Sequence, residues 1–456
     1  LNPSYKGLRI GYSAGTAKRL NERAIDSQWV RYLGEHADLE PIQPLRLFRM
    51  LGGSIERFQR DFPASLDRLS DELGDLSEQT GLRTIYMNVP ALVPYLLMGR
   101  ARAGIDLGFL FIAHSVASEF WLRQWLSIAP FLNGRDVLLC SSAACKTALH
   151  RISDRFGMAR LIPLCTETLD RSEIGSAIAE RGGKQLLSIG RLEDVKNIDC
   201  LLRVFARIRN RLPETELTIA GDYTGTDQAQ IERYRSLLLG LVGRLGLDGS
   251  VAFIGPVEGE AKERLLRRSD LLLNLSTDPG ETFGYNLIEA KRWGMPAISS
   301  NWNGFRDVVA HGEDGYLIDC NWEEQSPLVD EEQASDAALR VLEDEALRGK
   351  LSMRAAERAE SFDYRSVFPS IMAEVARSEA AAGTSMKQPD VSGLMNRKLS
   401  ELTSLYRMEN LHRLPFLDRP LFEILSGQSV MPLHDWMPAV RPIIGHYAGR
   451  IAYAEY

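Results

Sequence analysis

Short apolar runs alternate with amphipathic stretches along most of the chain. Gly7 to Tyr12 reads as a buried strand, followed by a small-residue turn, Ser13-Ala14-Gly15. Leu66, Leu69, Leu73 and Leu76 recur at helical spacing with acidic residues between them, which predicts an amphipathic helix. Thr84 to Val89, Leu107 to His114 and Asp136 to Ser141 read as strands, with a helix over 91–100. A helix between two strands carries the chain back to start a parallel neighbour, so parallel β-α-β units are expected.

Near 170–183 the pattern breaks into a polar stretch ending Arg181-Gly182-Gly183, which marks a candidate domain boundary. The alternation then restarts. Strands are predicted at Gln185 to Gly190, Glu216 to Gly221, Val251 to Gly255, Asp270 to Leu275 and Pro296 to Ser299. Helices fall between them, one with apolar residues at 198, 201, 202, 205 and 208. Each unit reads strand, loop, helix, so this half is a second doubly wound α/β sheet. Beyond Asp330 the pattern is helical, Gly383 to Ser392 reads as a linker, and the rest as a short helical appendage. The expected organisation is two Rossmann-like domains over 1–178 and 179–365, a helix at 366–383 and a helical C-terminal extension over 384–456.

Composition narrows the class of protein without naming it. The 456 residues are 45% hydrophobic and 25% charged, which excludes a disordered or disulfide-scaffold chain. A net charge of −7 argues against nucleic acid as the main partner. No apolar run approaches the ~18–20 residues of a membrane span, and the first apolar stretch reads as a strand rather than a signal peptide. The five cysteines form no C-x-x-C pair, which points to reduced thiols in a cytoplasm and to no metal site.

Two stretches carry candidate chemistry. In Gly280 to Asp307 a loop with Glu281 leads into a helix starting near Gly284. The first N–H groups of a helix are unpaired and favour an anion such as phosphate, and glycine lets backbone approach it closely. Glu289 lies about five residues into that helix, roughly 7 Å along its axis, so two carboxylates can address two ends of one ligand. Vicinal diols of sugars or ribose suit both. In Gly190 to Asn197, Arg191 follows a strand end and Lys196 lies just before a helix. Two fixed cations there would stabilise a leaving group that gains negative charge.

Glu281 and Glu289 form E-x7-E within E-x-F-G-x4-E-A, and Gly190, Arg191 and Lys196 form G-R-x4-K upstream. Together these motifs resemble the retaining GT-B glycosyltransferases of family 4, the glycosyl transferases group 1. The resemblance covers roughly 184–320, is weaker over 1–170, and does not reach 384–456. It implies a GT-B fold, with two Rossmann-like domains facing across a cleft, and a helix near 364–382 that crosses back toward the first domain. It implies sugar transfer from a UDP-, GDP- or ADP-linked donor to an acceptor hydroxyl, with retention and no metal or other cofactor. Arg191 and Lys196 would bind the diphosphate, and Glu281 the transferred sugar. The backbone at Phe283 and Gly284 would meet sugar or phosphate, and Glu289 the ribose. Gly15 would approach the diphosphate from the first domain, and His114 would lie near the reacting sugar. Ile254 to Glu258, with Val257 at its centre, would line the base pocket. Thr282 stands where the family commonly has Gly, and Asp307 where it has Glu.

Simpler readings accompany these. Phe120, Trp121 and Trp125 are expected in the core, with a sugar-stacking acceptor platform as the alternative, and Leu45 to Phe58 as a packing helix with a membrane-surface alternative. The implied setting is cytoplasmic, with peripheral contact at the inner face of a membrane or homodimerisation through the extension left open. Rival functions are a phosphorolytic enzyme of the same architecture and a non-catalytic sugar-nucleotide-binding scaffold. A dehydrogenase is disfavoured, because no G-x-G-x-x-G follows a strand with a downstream acid.

Overall fold

Every pairing within two six-stranded sheets is parallel. The computed structural model describes residues 7–12, 25–43, 61–87, 93–113, 131–152, 154–225, 227–278, 280–323 and 326–381, together with residues 46, 49, 50, 57, 58, 125 and 128. The chain divides into two compact units, one holding most of 1–162 plus the segment from Val367, the other most of 163–366.

The first unit contains β1 (Arg9–Tyr12), β2 (Asp38–Pro41), β3 (Thr84–Met87), β4 (Gly108–Ala113), β5 (Val137–Cys140) and β6 (Arg160–Leu161), in the order β2-β1-β3-β4-β5-β6. All six residues of β4 are buried, as expected of a central parallel strand covered on both faces. The helix Phe62–Thr80 buries Leu66, Leu69, Leu73 and Leu76, the stripe read from spacing. A buried ion pair ties the layers together. Arg100 donates to both oxygens of Asp136 and, at 2.6 Å, to the Phe131 carbonyl, while Asp136 accepts the Phe109 N–H at 3.1 Å. Both side chains are fully shielded, so removing either would strand a charge in the core. Trp125 is buried between Phe111 and Phe156, a core position, while Phe120 and Trp121 lie outside the described residues. Most of Leu45 to Phe58 is also outside them.

The helix Tyr364–Ala380 passes at Val367 into this first unit. Phe368 meets Trp29 and Tyr32 at ring separations of 5.0 and 5.3 Å. Ser378 donates to the Arg135 carbonyl at 2.6 Å, and Arg160 pairs with Glu374 at 3.0 Å. The linker and extension expected beyond 383 lie outside the described residues.

The second unit contains β7 (Gln185–Ile189), β8 (Glu216–Ala220), β9 (Val251–Phe253), β10 (Leu271–Asn274), β11 (Ala297–Ser300) and β12 (Gly315–Ile318), in the order β12-β11-β10-β7-β8-β9. This is the Rossmann order. The chain winds outward on one side through β8 and β9, then returns to the other side of β7 with β10. The helix Ile198–Arg211 buries Ile198, Leu201, Leu202, Phe205 and Ile208, again the predicted stripe. A hairpin of β13 (Cys320–Glu323) and β14 (Ser326–Val329) follows the sheet and has no counterpart in the sequence reading.

One stretch departs from its reading. The polar segment 170–183 is a helix, Arg171–Glu180, and not a break. It belongs to the second unit, whose main segment runs from Pro163 to Ser366. Ile174 and Ala177 are its buried face. Arg181 just beyond it donates to the carbonyls of Leu266, Arg267, Trp293 and Gly294 at 2.9–3.1 Å. Burial lowers its pKa to about 10, against a smaller opposing effect of Asp270. A short helix with two inward residues gives little periodic signal, and the arginine's four acceptors are dispersed along the chain.

Candidate active site

In a doubly wound sheet, ligands bind outside the carboxyl ends of the strands where the winding reverses. In the second unit that point lies between β7 and β10, which pair through Leu186 with Leu271 and Leu187 with Leu272. The loops leaving these two strands are 190–197 and 275–284, the two stretches that carry the candidate chemistry. The sheet topology therefore explains why motifs some ninety residues apart can share one site.

A backbone hydrogen bond and the side-chain amide of Asn197 lock the loops together. Thr277 N–H donates to the Val195 carbonyl at 3.0 Å. Asn197 donates to the Leu275 carbonyl at 2.8 Å and to the Thr277 hydroxyl at 2.9 Å. Asn197 itself has φ 52°, a left-handed conformation that asparagine tolerates, and it starts the helix Ile198–Arg211. Lys196 is thus delivered from a rigid turn.

Its ammonium meets two carboxylates, Asp278 at 2.6 Å and Glu281 in direct contact. Arg191 lies 3.5 Å from Asp278 and 2.6 Å from Glu193, with its side chain 59% exposed. Burial works against the charge on Lys196, but Glu281 and Asp278 outweigh it and raise the pKa above the ordinary lysine range. Burial likewise opposes ionisation of Asp278, yet Lys196 and the Gly280 N–H hold its carboxyl below the usual range. Glu193 goes the other way: burial raises its pKa, and Arg191 and Lys196 only partly compensate.

The helix Tyr285–Arg292 begins beside this cluster. Gly284 at its cap has φ 91°, and a Cβ there would stand 2.7 Å from the Phe305 ring. Only glycine satisfies both constraints. Asn286 donates to the Ile189 carbonyl at 2.8 Å and so holds the helix start over the end of β7. Phe283 is buried. Glu289 accepts from Lys262 at 2.7 Å, both side chains about one-quarter exposed. Lys262 sits on the helix Gly259–Arg268, which follows the segment holding Val257. Val257 itself lines a cavity of about 430 Å³ with Ile254, Ala261 and Leu265, rimmed by Arg264 and Arg268. β9, from which this segment leaves, lies two strands from β7, about 10 Å at ~4.8 Å per strand.

Arg191, Lys196, Glu281 and Gly284 therefore converge, with Gly190 in the same loop as Arg191 and Glu289 farther along the helix. Gly15 and His114 lie outside the described residues. The sequence reading missed Asp278, Glu193 and Lys262. An acid four residues beyond the end of β10, in the loop at the reversal point, was the available signal for Asp278. Lys262 had none, since its partner is distant in sequence. Among the described residues, no group of three or more His, Cys, Asp or Glu is placed to hold a metal ion.

Fold and site together define the GT-B architecture, two Rossmann-like doubly wound domains in one chain. Residues 171–359, within the second unit, match the family model described as Glycosyl transferases group 1. A phosphatidyl-myo-inositol mannosyltransferase of Mycolicibacterium smegmatis is 29% identical over 218 residues, 48% of this chain and 50% of that protein. An N-acetyl-alpha-D-glucosaminyl L-malate synthase of Bacillus anthracis is 32% identical over 174 residues, 38% of this chain and 40% of that protein. The chain spans about half or less of the length of these curated relatives. Among solved structures, Anabaena HepE in complex with UDP and glucose matches at 17% identity and TM-score 0.58, covering 81% of this chain and 99% of that one. A sucrose-phosphate synthase of Thermosynechococcus elongatus matches at 19% identity and TM-score 0.60, covering 82% and 100%. These two show a shared fold. Among the described residues, no helix is long and apolar enough to cross a membrane.

Proposed function

We propose that the protein is a retaining glycosyltransferase that moves a sugar from a nucleoside-diphosphate donor to an acceptor hydroxyl. The observation that carries this reading is the convergence of Arg191, Lys196, Glu281 and the Gly284 helix start at the winding reversal of a Glycosyl transferases group 1 domain. The names of the relatives, a phosphatidyl-myo-inositol mannosyltransferase and an N-acetyl-alpha-D-glucosaminyl L-malate synthase, support a sugar as the transferred group.

In this reading the diphosphate rests on the first N–H groups of the helix Tyr285–Arg292 and against Lys196 and Arg191. Glu281 turns from Lys196 to the sugar, and Glu289 exchanges Lys262 for the ribose diol. The backbone near Val257 receives the base. The acceptor oxygen attacks the anomeric carbon from the leaving-group face as the bond to the diphosphate oxygen breaks. The acceptor's proton passes to a phosphate oxygen of the leaving group, so no protein base is required. Arg191 and Lys196 stabilise charge that grows as that bond opens, which favours the transition state over the ground state. Gly15 and His114 belong to the same proposal, on the diphosphate and the reacting sugar. The base, the sugar and the acceptor stay at the level of class: UDP, GDP or ADP, a hexose or relative, and a hydroxyl. A cytoplasmic setting is part of the proposal; peripheral membrane contact and pairing through the extension stay open alternatives.

A thermal-shift screen with UDP-, GDP- and ADP-sugars identifies the donor, because ligand binding raises apparent stability by mass action. NMR of the first-formed product then reads its anomeric configuration. Retention from a nucleotide sugar is expected. Inversion, or turnover of a glycosyl phosphate with no response to any nucleotide sugar, would overturn the reading.

A further inference from the structure

Two cations at the site, Arg191 and Lys196, face three carboxylates, Glu193, Asp278 and Glu281. For a place meant to receive a diphosphate, one of these acids is surplus. Glu281 has a use in the proposed reaction, and Glu193 lies on Arg191. Asp278 is 3% exposed and too enclosed to touch a ligand. From this we infer that Asp278 is a positioning residue: it fixes Lys196 for the leaving diphosphate and does so at the expense of nucleotide affinity. The inference rests on the glycosyltransferase reading above.

Asp278 is held at every polar atom. Its carboxylate accepts the Gly280 N–H at 2.7 Å and the Lys196 ammonium at 2.6 Å. Its backbone carbonyl accepts the Trp302 indole N–H at 2.9 Å, and its own N–H donates to the Ser276 hydroxyl at 3.2 Å. Trp302 is fully buried. Glu281 is different: its side chain is 19% exposed, and its carboxylate leans on Lys196. An entering diphosphate can displace Glu281 from Lys196 but cannot displace Asp278. Lysine is a point charge on a four-carbon stem, and without a fixed anchor its ammonium would sample many positions. Anchored, it meets the bridging oxygen as charge develops there, and no reorganisation is needed at that moment.

The same carboxylate repels the diphosphate in every bound state. A positioning role therefore predicts that affinity and turnover move in opposite directions when its charge is removed, whereas a structural role predicts that both fall. Asp278→Asn keeps the shape and an oxygen for the Gly280 N–H, but turns an amide toward Lys196.

The full chain is first titrated with UDP, GDP and ADP by calorimetry, and the nucleotide sugar of the base that binds is used for turnover. Asp278→Asn is expected to bind the nucleoside diphosphate roughly fivefold more tightly, the scale of one screened charge contact, and to turn over about tenfold more slowly or worse. Asp278→Glu, which keeps the charge but lengthens the arm, covers the case in which the amide variant does not fold. It should bind within about twofold of wild type and also turn over slowly. Affinity lost in parallel with turnover, or turnover unchanged in either folded variant, overturns the role of Asp278 while leaving the glycosyltransferase reading intact. A wild-type chain that binds none of the three nucleotides overturns both.

Discussion

Asp363 shows how a single side chain can organise a junction. It precedes the helix Tyr364–Ala380 and accepts hydrogen bonds from the Thr168 N–H at 2.9 Å, the Thr168 hydroxyl at 2.8 Å and the Arg365 guanidinium at 2.7 Å. Burial opposes its charge, but Arg365 and Thr168 prevail and hold its pKa at about 2. The folded value lies below that of an unfolded aspartate, so the stabilisation is complete above pH ~4 and is lost as pH falls through about 2. Arg365 is largely exposed, so screening leaves about 1–2 kcal/mol of this. Urea unfolding of wild type and Asp363→Asn should therefore differ most near pH 5 and converge toward pH 2; a constant difference across that range would refute the linkage. At this scale the sequence was partly legible. Arg191, Lys196 and Glu281 stood out because each lies within a few residues of a strand end or a helix start. Asp278 and Lys262 were not singled out, since their partners lie far off in sequence on other loops or helices, and such ion pairs follow no spacing rule.

At the scale of elements, close backbone approach decides where glycine is needed. Gly221 follows β8 with φ 156°, and a Cβ on it would fall 1.7 Å from the Gly190 carbonyl oxygen. Gly190 opens the loop that carries Arg191, and its N–H donates to the Ala220 carbonyl at 3.0 Å. The obstacle is backbone and cannot rotate away. Gly221→Ala should cost about 2–4 kcal/mol, read as a lower urea midpoint. An unchanged midpoint would mean that the two strand ends separate at little cost. Strands β7 to β11 and the long helices of the second unit were readable, because buried parallel strands are continuous apolar runs and the stripe from Ile198 to Ile208 is strongly periodic, whereas β12 was not read. The helix Arg171–Glu180 was not, with only Ile174 and Ala177 facing inward. The β13–β14 hairpin was missed because Cys320 to Val329 mixes polar residues and a proline with few apolar ones.

For the whole molecule, the governing fact is the strand order β12-β11-β10-β7-β8-β9. It places the loops after β7 and β10 side by side and gives the helix Tyr285–Arg292 a start next to two cations. Alternation of strand and helix foretold two doubly wound sheets, but not the order of strands, which depends on long-range pairing. The proposed reaction requires this reversal point to hold a departing diphosphate. Its most direct test is steady-state turnover of Lys196→Ala on the nucleotide sugar selected by the thermal screen, with folding checked by circular dichroism. A fall of about 10²–10³-fold is expected, the scale of losing one preorganised charge at a leaving group. A folded variant within a few-fold of wild type would contradict it.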